Sequence, residues 1–333
     1  MESEVGNTDR RVPTGSSHSL HGSDQMNRLI RTMSTSTSTS RTPLLISPKS
    51  LLSTPPTSYK ALDCTWHMPS PTPRSPRPEY TQAHLPNARF FDLDGVCDTS
   101  SPYPHMLPTP SAWSKAMGEL GIGRDDWVVC YDTYGVFSAA RVVWMCKVFG
   151  HTRVSLLEGG LAGWKEARGE VVSGEEKVES VEYGPCEIDD KLVKSFEEVR
   201  ENAQKQDGRA KVLDARAKGR FTGEAPEPRP GLSSGHIPHS ISLPFQSLLT
   251  TPSSYTTYKP ASDLKETLEG LGVKEGDDVI MSCGTGVTAS VLWLGQNIAF
   301  GSDGTKGAVY DGSWTEWAQR ASADEGLIVK GDA

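Results

Sequence analysis

The sequence lacks several things that would point to common functions. It has no apolar run near the ~20 residues that a membrane-spanning helix requires. It has no basic stripe, and its net charge is −8, so the phosphate contacts of a nucleic-acid-binding protein are not provided for. It has no CxxC pair. The six cysteines, Cys64, Cys97, Cys130, Cys146, Cys186 and Cys283, are scattered. Neither a zinc site nor a dense disulfide framework is suggested, and a reducing compartment is the simplest setting. What remains is ordinary globular material: 333 residues, 36% hydrophobic and 23% charged. At roughly 150 residues per domain, two domains are expected.

Residues 1–57 are rich in Ser, Thr and Pro, including the run "MSTSTSTSRT". Such a segment buries too little apolar surface to offset chain entropy, so a disordered tail is expected there. Between Asp24 and Asp63 there is no acidic residue, while Arg28, Arg31, Arg41, Lys49 and Lys60 are present. That balance suits a mitochondrial presequence, whereas Glu2, Glu4 and Asp9 do not. A start at Met26 removes the conflict, so a mitochondrial form beginning internally is expected, with a mitochondrial and/or cytoplasmic location for the protein.

The chain repeats itself at a near-constant offset of about 151 to 153 residues. "ALDCTW" (61–66) matches "VLDARA" (212–217), and "HLPNARFFDL" (84–93) matches "HIPHSISLPF" (236–245). "WVVCYDTYGVFSAARVVW" (127–144) matches "VIMSCGTGVTASVLWL" (279–294), and "LLEGGLAGW" (156–164) matches "VYDGSWTEW" (309–317). Four blocks in the same order imply two copies of one domain, 58–172 and 191–333, joined by an acidic linker over 173–190. In the second copy "KVLDA", "DVIMS" and "GAVYDG" read as strands. "ASDLKETLEGLG", "VTASVLWLGQNIAF" and "SWTEWAQR" read as helices, the last with Ser313 as an N-cap. Strands alternating with helices imply an α/β fold: a mostly parallel sheet covered on both faces, with its binding crevice at the carboxyl ends of the strands.

Cys283 stands at such a strand end, in "SCGTGVTAS". The helix that follows leaves its first amides unpaired and carries partial positive charge there, which favours thiolate over thiol. Gly284 and Gly286 remove side-chain bulk, so that the loop, with Val287 and Thr288 opening the helix, can aim several N–H groups at one sulfur. Thr285 and Thr288 add hydroxyls. The bland alternative is a structural cysteine at a buried strand end. The first copy has Asp132 at the equivalent position, so it cannot do the same covalent chemistry; it is expected to support the second copy and wall its cleft.

These blocks resemble the two-domain rhodanese family of sulfurtransferases over about residues 60–330. "CGTGVTA" (283–289) is similar to the active loop of that family's 3-mercaptopyruvate branch, and "GRFTGEAPEPRPGLSSGHIPHS" (219–240) to its second-domain signature. "FFDLDGVCDTSSPYPHMLP" (90–108) and "VSLLEGGLAGW" (154–164) resemble its first-domain signatures. The resemblance implies two tandem rhodanese-like domains. It implies an enzyme that takes a sulfur atom from 3-mercaptopyruvate onto Cys283, releases pyruvate, and passes the sulfur on. Cyanide, low-molecular-weight thiols or thioredoxin would be the acceptors, and neither a metal nor an organic cofactor is needed. Family members that prefer thiosulfate resemble "CRKGVTA"; here the two cationic positions are the neutral Gly284 and Thr285, which disfavours a dianion.

By the same resemblance, Arg220 and Arg229 hold the substrate carboxylate. Glu224 and Glu227 nearby leave open an ordinary ion pair for either. Asp94 and His105, with Thr285, match a proton-handling group around the cysteine; the alternatives are a turn cap for Asp94 and interface packing for His105. Arg216 belongs either to the cleft or to a local acid, and His236, which recurs as His84, reads as structural. Three rivals remain. A cysteine phosphatase needs an Arg six positions after the cysteine, where Ala289 stands. A thiosulfate-preferring rhodanese and a sulfur-relay carrier for tRNA thiolation or cofactor synthesis share the same loop.

Overall fold

The structure is a computed structural model that describes residues 41–70, 72–322 and 324–332. The first repeat runs β1 (Leu45–Ile46), α1 (Pro48–Leu52), β2 (Lys60–Asp63), α2 (Pro76–Gln82), β3 (Arg89–Phe90), α3 (Pro110–Glu119), β4 (Val128–Tyr131), α4 (Ser138–Val148), β5 (Val154–Leu157) and α5 (Gly160–Glu166). The second runs β6 (Val193–Lys194), α6 (Phe196–Gln204), β7 (Lys211–Asp214), α7 (Lys218–Thr222), β8 (Ile241–Ser242), β9 (Leu249–Thr250), β10 (Thr257–Tyr258), α8 (Ala261–Gly270), β11 (Val279–Ser282), α9 (Val287–Ala299), β12 (Ala308–Tyr310) and α10 (Ser313–Arg320). Each repeat builds one parallel five-stranded sheet, in the orders β1-β5-β4-β2-β3 and β6-β12-β11-β7-β8. The two orders coincide strand for strand under the duplication. The central strands "VVCY" and "VIMS" are buried along their whole length, as strands covered by helices on both faces must be.

Helices α4 and α9 pack against each other, so the repeats share one apolar core that includes Trp144 and Val143 from the first and Trp293 and Val291 from the second. The segment after β3, residues 94–107, and its equivalent after β8, residues 245–258, each cross to the opposite repeat. In one direction the Thr256 amide donates to the Tyr134 carbonyl, and the Val136 amide donates to Thr256 Oγ1, both at 3.1 Å. A Cβ at Gly135 (φ 106°) would lie 2.2 Å from the Thr256 carbonyl oxygen, so only glycine permits this contact. In the other direction His105 and Leu107 reach the second repeat.

The tail expected over 1–57 needs correction. Residues 1–40, and with them the Met26 start and presequence reading, lie outside the described residues. Residues 41–57 do not form a tail. β1 pairs in parallel with β5, Leu45 opposite Leu156. Ser47 caps α1 ahead of Pro48, and Leu44, Ile46 and Leu51 are buried. The Ser- and Pro-rich composition hid a short apolar pattern, "PLLISPKSLL". The segment 173–190 contains no helix or strand, but it is fastened to the first repeat: the Val181 amide donates to the Gly118 carbonyl, and buried Tyr183 meets His151 Nδ1 through its hydroxyl at 3.1 Å.

Candidate active site

β11 places Cys283 at its carboxyl end, 2% exposed, where the chain turns into α9. Gly286 makes that turn with φ 78°. Any Cβ there would stand 2.7 Å from Arg141 Nη1 and 3.0 Å from the Asp311 carbonyl oxygen, so glycine is required twice over. The loop is shaped from α10. Ser313 Oγ accepts from the amides of Cys283 and Gly286, both at 3.1 Å, and donates to the Tyr310 carbonyl at 2.8 Å. The Cys283 and Gly284 carbonyls accept from the amides of Trp314 and Thr315. Among the described residues no acceptor takes the amides of Gly284, Thr285, Val287 or Thr288. These are the donors an anion at this corner would meet.

The first repeat shows what such a corner does. There the equivalent Asp132 fills its own loop. Its Oδ1 accepts from the amides of Tyr134 and Gly135, and its Oδ2 from those of Phe137 and Ala139, all at 2.9 Å. One strand-to-helix corner holds a carboxylate on four amides; its duplicate carries a thiol and has four amides with no acceptor among the described residues.

Thr285 Oγ1 lies 3.0 Å from His105 Nδ1, and His105 Nε2 lies 3.0 Å from Asp94 Oδ1. Trp66 Nε1 also donates to Asp94, at 3.1 Å, and its ring meets the His105 ring edge-on at 4.8 Å between centroids. Hydroxyl, imidazole and carboxylate thus form one hydrogen-bonded chain, with Thr285 and His105 buried and Asp94 open to solvent. The hydrogen bond from His105 holds the Asp94 carboxyl below its ordinary range, against a smaller opposing effect of burial. His105 also packs the interface between repeats, so its two readings are not exclusive. No turn is capped by the Asp94 side chain among the described residues.

Of the arginines, Arg220 does form the ion pair that Glu227 made credible: Nη2 to Oε2 at 2.6 Å and Nε to Oε1 at 3.2 Å. The pair nonetheless orients it toward the loop, with Nη2 3.3 Å from where a Gly284 Cβ would be. Arg216 is a structural residue: buried, it grips Asp214, the Gly235 carbonyl and Glu227 Oε1, and lies 4.1 Å over the Trp314 ring. Arg229 is half-buried and has no ion-pair partner among the described residues. Burial, then the Arg220 guanidinium, push its pKa down, while Cys283 and, more weakly, Glu227 push it up.

The roles of four participants escaped the sequence. Ser313 is not a side-chain N-cap of α10; Gly312 holds the cap position, and the Ser313 side chain turns to the Cys283 loop. The recurrence of the "DGSW" block beside the cysteine block was the available signal. Glu227 was noticed only as a competitor, and Arg141 and Asp311 not at all. Among the described residues no three His, Cys, Asp or Glu side chains are grouped so as to hold a metal ion.

The rhodanese-like domain model matches this chain twice, over residues 62–167 and 195–320. The thiosulfate/3-mercaptopyruvate sulfurtransferase 1, mitochondrial, of Arabidopsis thaliana is 41% identical over 279 residues, covering 78% of this chain and 71% of that protein. The probable 3-mercaptopyruvate sulfurtransferase of Schizosaccharomyces pombe is 39% identical, covering 81% and 90%. The crystal structure of the Tum1 protein from Saccharomyces cerevisiae superposes with a TM-score of 0.76 at 33% identity, covering 87% of this chain and all of that one. With two matched domains, a sheet order repeated strand for strand and relatives similar over most of their length, the chain belongs to the two-domain rhodanese family of sulfurtransferases.

Proposed function

We propose that the protein transfers sulfur from 3-mercaptopyruvate, and less well from thiosulfate, through a persulfide on Cys283 to a thiol acceptor, releasing pyruvate. The observation that carries this reading is the corner at Cys283, where the amides of Gly284, Thr285, Val287 and Thr288 have no acceptor among the described residues, in a repeat where Arg229 has no ion-pair partner among them. The substrate carboxylate lies on Arg229 with Arg220 alongside, in the forked geometry a guanidinium favours. The Cys283 thiolate attacks the substrate sulfur. An S–S bond forms, the C–S bond breaks, and its electron pair passes to the methylene carbon as an enolate. The proton lost from the substrate thiol is returned to that carbon to give pyruvate, so the step is proton-neutral. Thr285 Oγ1, His105 and Asp94 form the path for it. The amides of Gly284, Thr285, Val287 and Thr288 then stabilise the persulfide anion. In the second half an acceptor thiolate attacks the outer sulfur and Cys283 leaves as thiolate.

The charge balance favours mercaptopyruvate over thiosulfate. Arg216, Arg220 and Arg229 face Asp214 and Glu227, leaving one positive charge uncompensated, which suits a single carboxylate better than a dianion. A small thiol or thioredoxin is the proposed acceptor, and the first repeat, its corner occupied by Asp132, takes no covalent part. Steady-state competition between mercaptopyruvate and thiosulfate tests the reading. Preference for mercaptopyruvate in kcat/KM supports it, and preference for thiosulfate contradicts the donor assignment.

A further inference from the structure

Arg141 belongs to the first repeat, yet its guanidinium lies beneath the second repeat's loop. It sits on α4, where the equivalent residue on α9 is Leu292, and it is 0% exposed. Its Nη2 donates both to the His105 carbonyl oxygen and to Asp311 Oδ1, each at 2.6 Å. The other Asp311 oxygen accepts from the Leu107 amide at 2.8 Å. One cation therefore ties the segment bearing His105 to the corner between β12 and α10, directly through His105 and through Asp311 to Leu107. The guanidinium lies 4.3 Å over the Trp144 ring. Nη1 and Nε are buried with no hydrogen-bond partner among the described residues, and Nη1 faces the Cys283 loop at Gly286.

A buried cation with two idle donors and one carboxylate for compensation is expensive. Filling space does not require it, since the duplicate position is served by leucine. His105 is itself in an unfavourable conformation, with φ 64°. The bond to its carbonyl is one of the contacts that hold the backbone there, and that conformation aims the ring at Thr285 and Asp94.

We propose that Arg141 is a positioning residue for the Cys283 site: it pins His105 in its left-handed conformation so that the ring meets Thr285, and it sets a fixed positive charge behind the loop that carries the sulfur anion. The proposal rests on the reading of Cys283 as the sulfur-carrying residue. It acts through His105 and the loop, so it affects kcat rather than substrate affinity, which Arg220 and Arg229 govern.

The test compares Arg141→Met and Arg141→Lys with the natural protein. The readouts are steady-state kinetics with mercaptopyruvate, Cys283 alkylation by iodoacetamide at one neutral pH, and thermal melting. Arg141→Met is expected to lower kcat about tenfold to a hundredfold with little change in KM, and to slow alkylation. Arg141→Lys is expected to recover kcat to within about threefold, because both hydrogen bonds leave from a single nitrogen, a geometry that an ammonium can supply. The proposal is overturned if Arg141→Met keeps its kcat, raises KM instead, or alkylates faster, as a merely loosened loop would. It is equally overturned if Arg141→Lys is no better than Arg141→Met. Should Arg141→Met fail to fold, Arg141→Lys decides alone, a loss of more than about tenfold in kcat with an unchanged melt counting against it. Alkylation needs no sulfur donor: slowed alkylation in a protein that never turns over mercaptopyruvate removes the sulfurtransfer reading and leaves the positioning role standing.

Discussion

Arg216 and Arg220 share Glu227, and Arg216 also holds Asp214, whereas Arg229 has no ion-pair partner among the described residues. Arg229→Ala should therefore lower kcat/KM for mercaptopyruvate about ten- to hundredfold, mostly through KM, with a smaller effect on thiosulfate. Equal effects on both donors in parallel steady-state assays would refute a carboxylate role. Thr285 presents a different question, since only its hydroxyl reaches His105. Thr285→Ser keeps that hydroxyl and should retain most of kcat, whereas Thr285→Val should lose about ten- to a hundredfold. A valine variant with normal turnover would remove the hydroxyl from the proton path.

Two strand-to-helix corners related by duplication carry opposite occupants, and each predicts something about its element. Asp132 accepts from four amides between β4 and α4. Asp132→Asn turns an N–H₂ group toward two of them, so it should cost about 2–4 kcal/mol in urea unfolding while Cys283 in the folded protein still accepts sulfur. Loss of sulfur loading in a well-folded variant would show that the first corner has a catalytic share. At the end of β2, burial and, more weakly, the charge of Asp132 push Asp63 up to about 6 from 3.8, against hydrogen bonds from Thr65. The folded state thus keeps a proton that the unfolded chain has lost, so stability falls as pH rises from 3.8 to about 6. The loss is about 3 kcal/mol, and Asp63→Asn should abolish most of it in melts taken across that window. A natural protein whose melting is flat there would contradict the assignment. The corners themselves were legible in the sequence, because β-branched strand, glycine loop and helix are a local pattern. The contents of the corner around Cys283 were only half legible. Gly284, Thr285 and Gly286 are contiguous with the cysteine, but Ser313 and Arg141 reach the loop only after folding, from α10 and from the other repeat.

At the scale of the whole molecule, the duplication was legible because four blocks recur at nearly one spacing, and the sheets repeat their strand order accordingly. The start of the first repeat was not. β1 is two residues long and α1 five, set among Ser and Pro; pairing with β5 holds the strand and burial of Leu51 holds the helix, rather than local propensity. Removing residues 41–57 should therefore destabilise the protein, with Leu44, Ile46 and Leu51 each worth about 1.5–3 kcal/mol of burial. An unchanged melting temperature on that truncation would contradict the edge strand. The shared core of α4 and α9 brings His105 and Arg141 of the repeat whose corner holds Asp132 to the thiol at the corner of the other, so the candidate site draws on both domains. The central claim is that Cys283 carries the transferred sulfur. Intact-mass spectrometry after exposure to 3-mercaptopyruvate, with acceptor withheld, tests it most directly. The natural protein should gain the mass of one sulfur atom and Cys283→Ser should gain none; a variant that still gains it, or a natural protein that never does, would contradict the account.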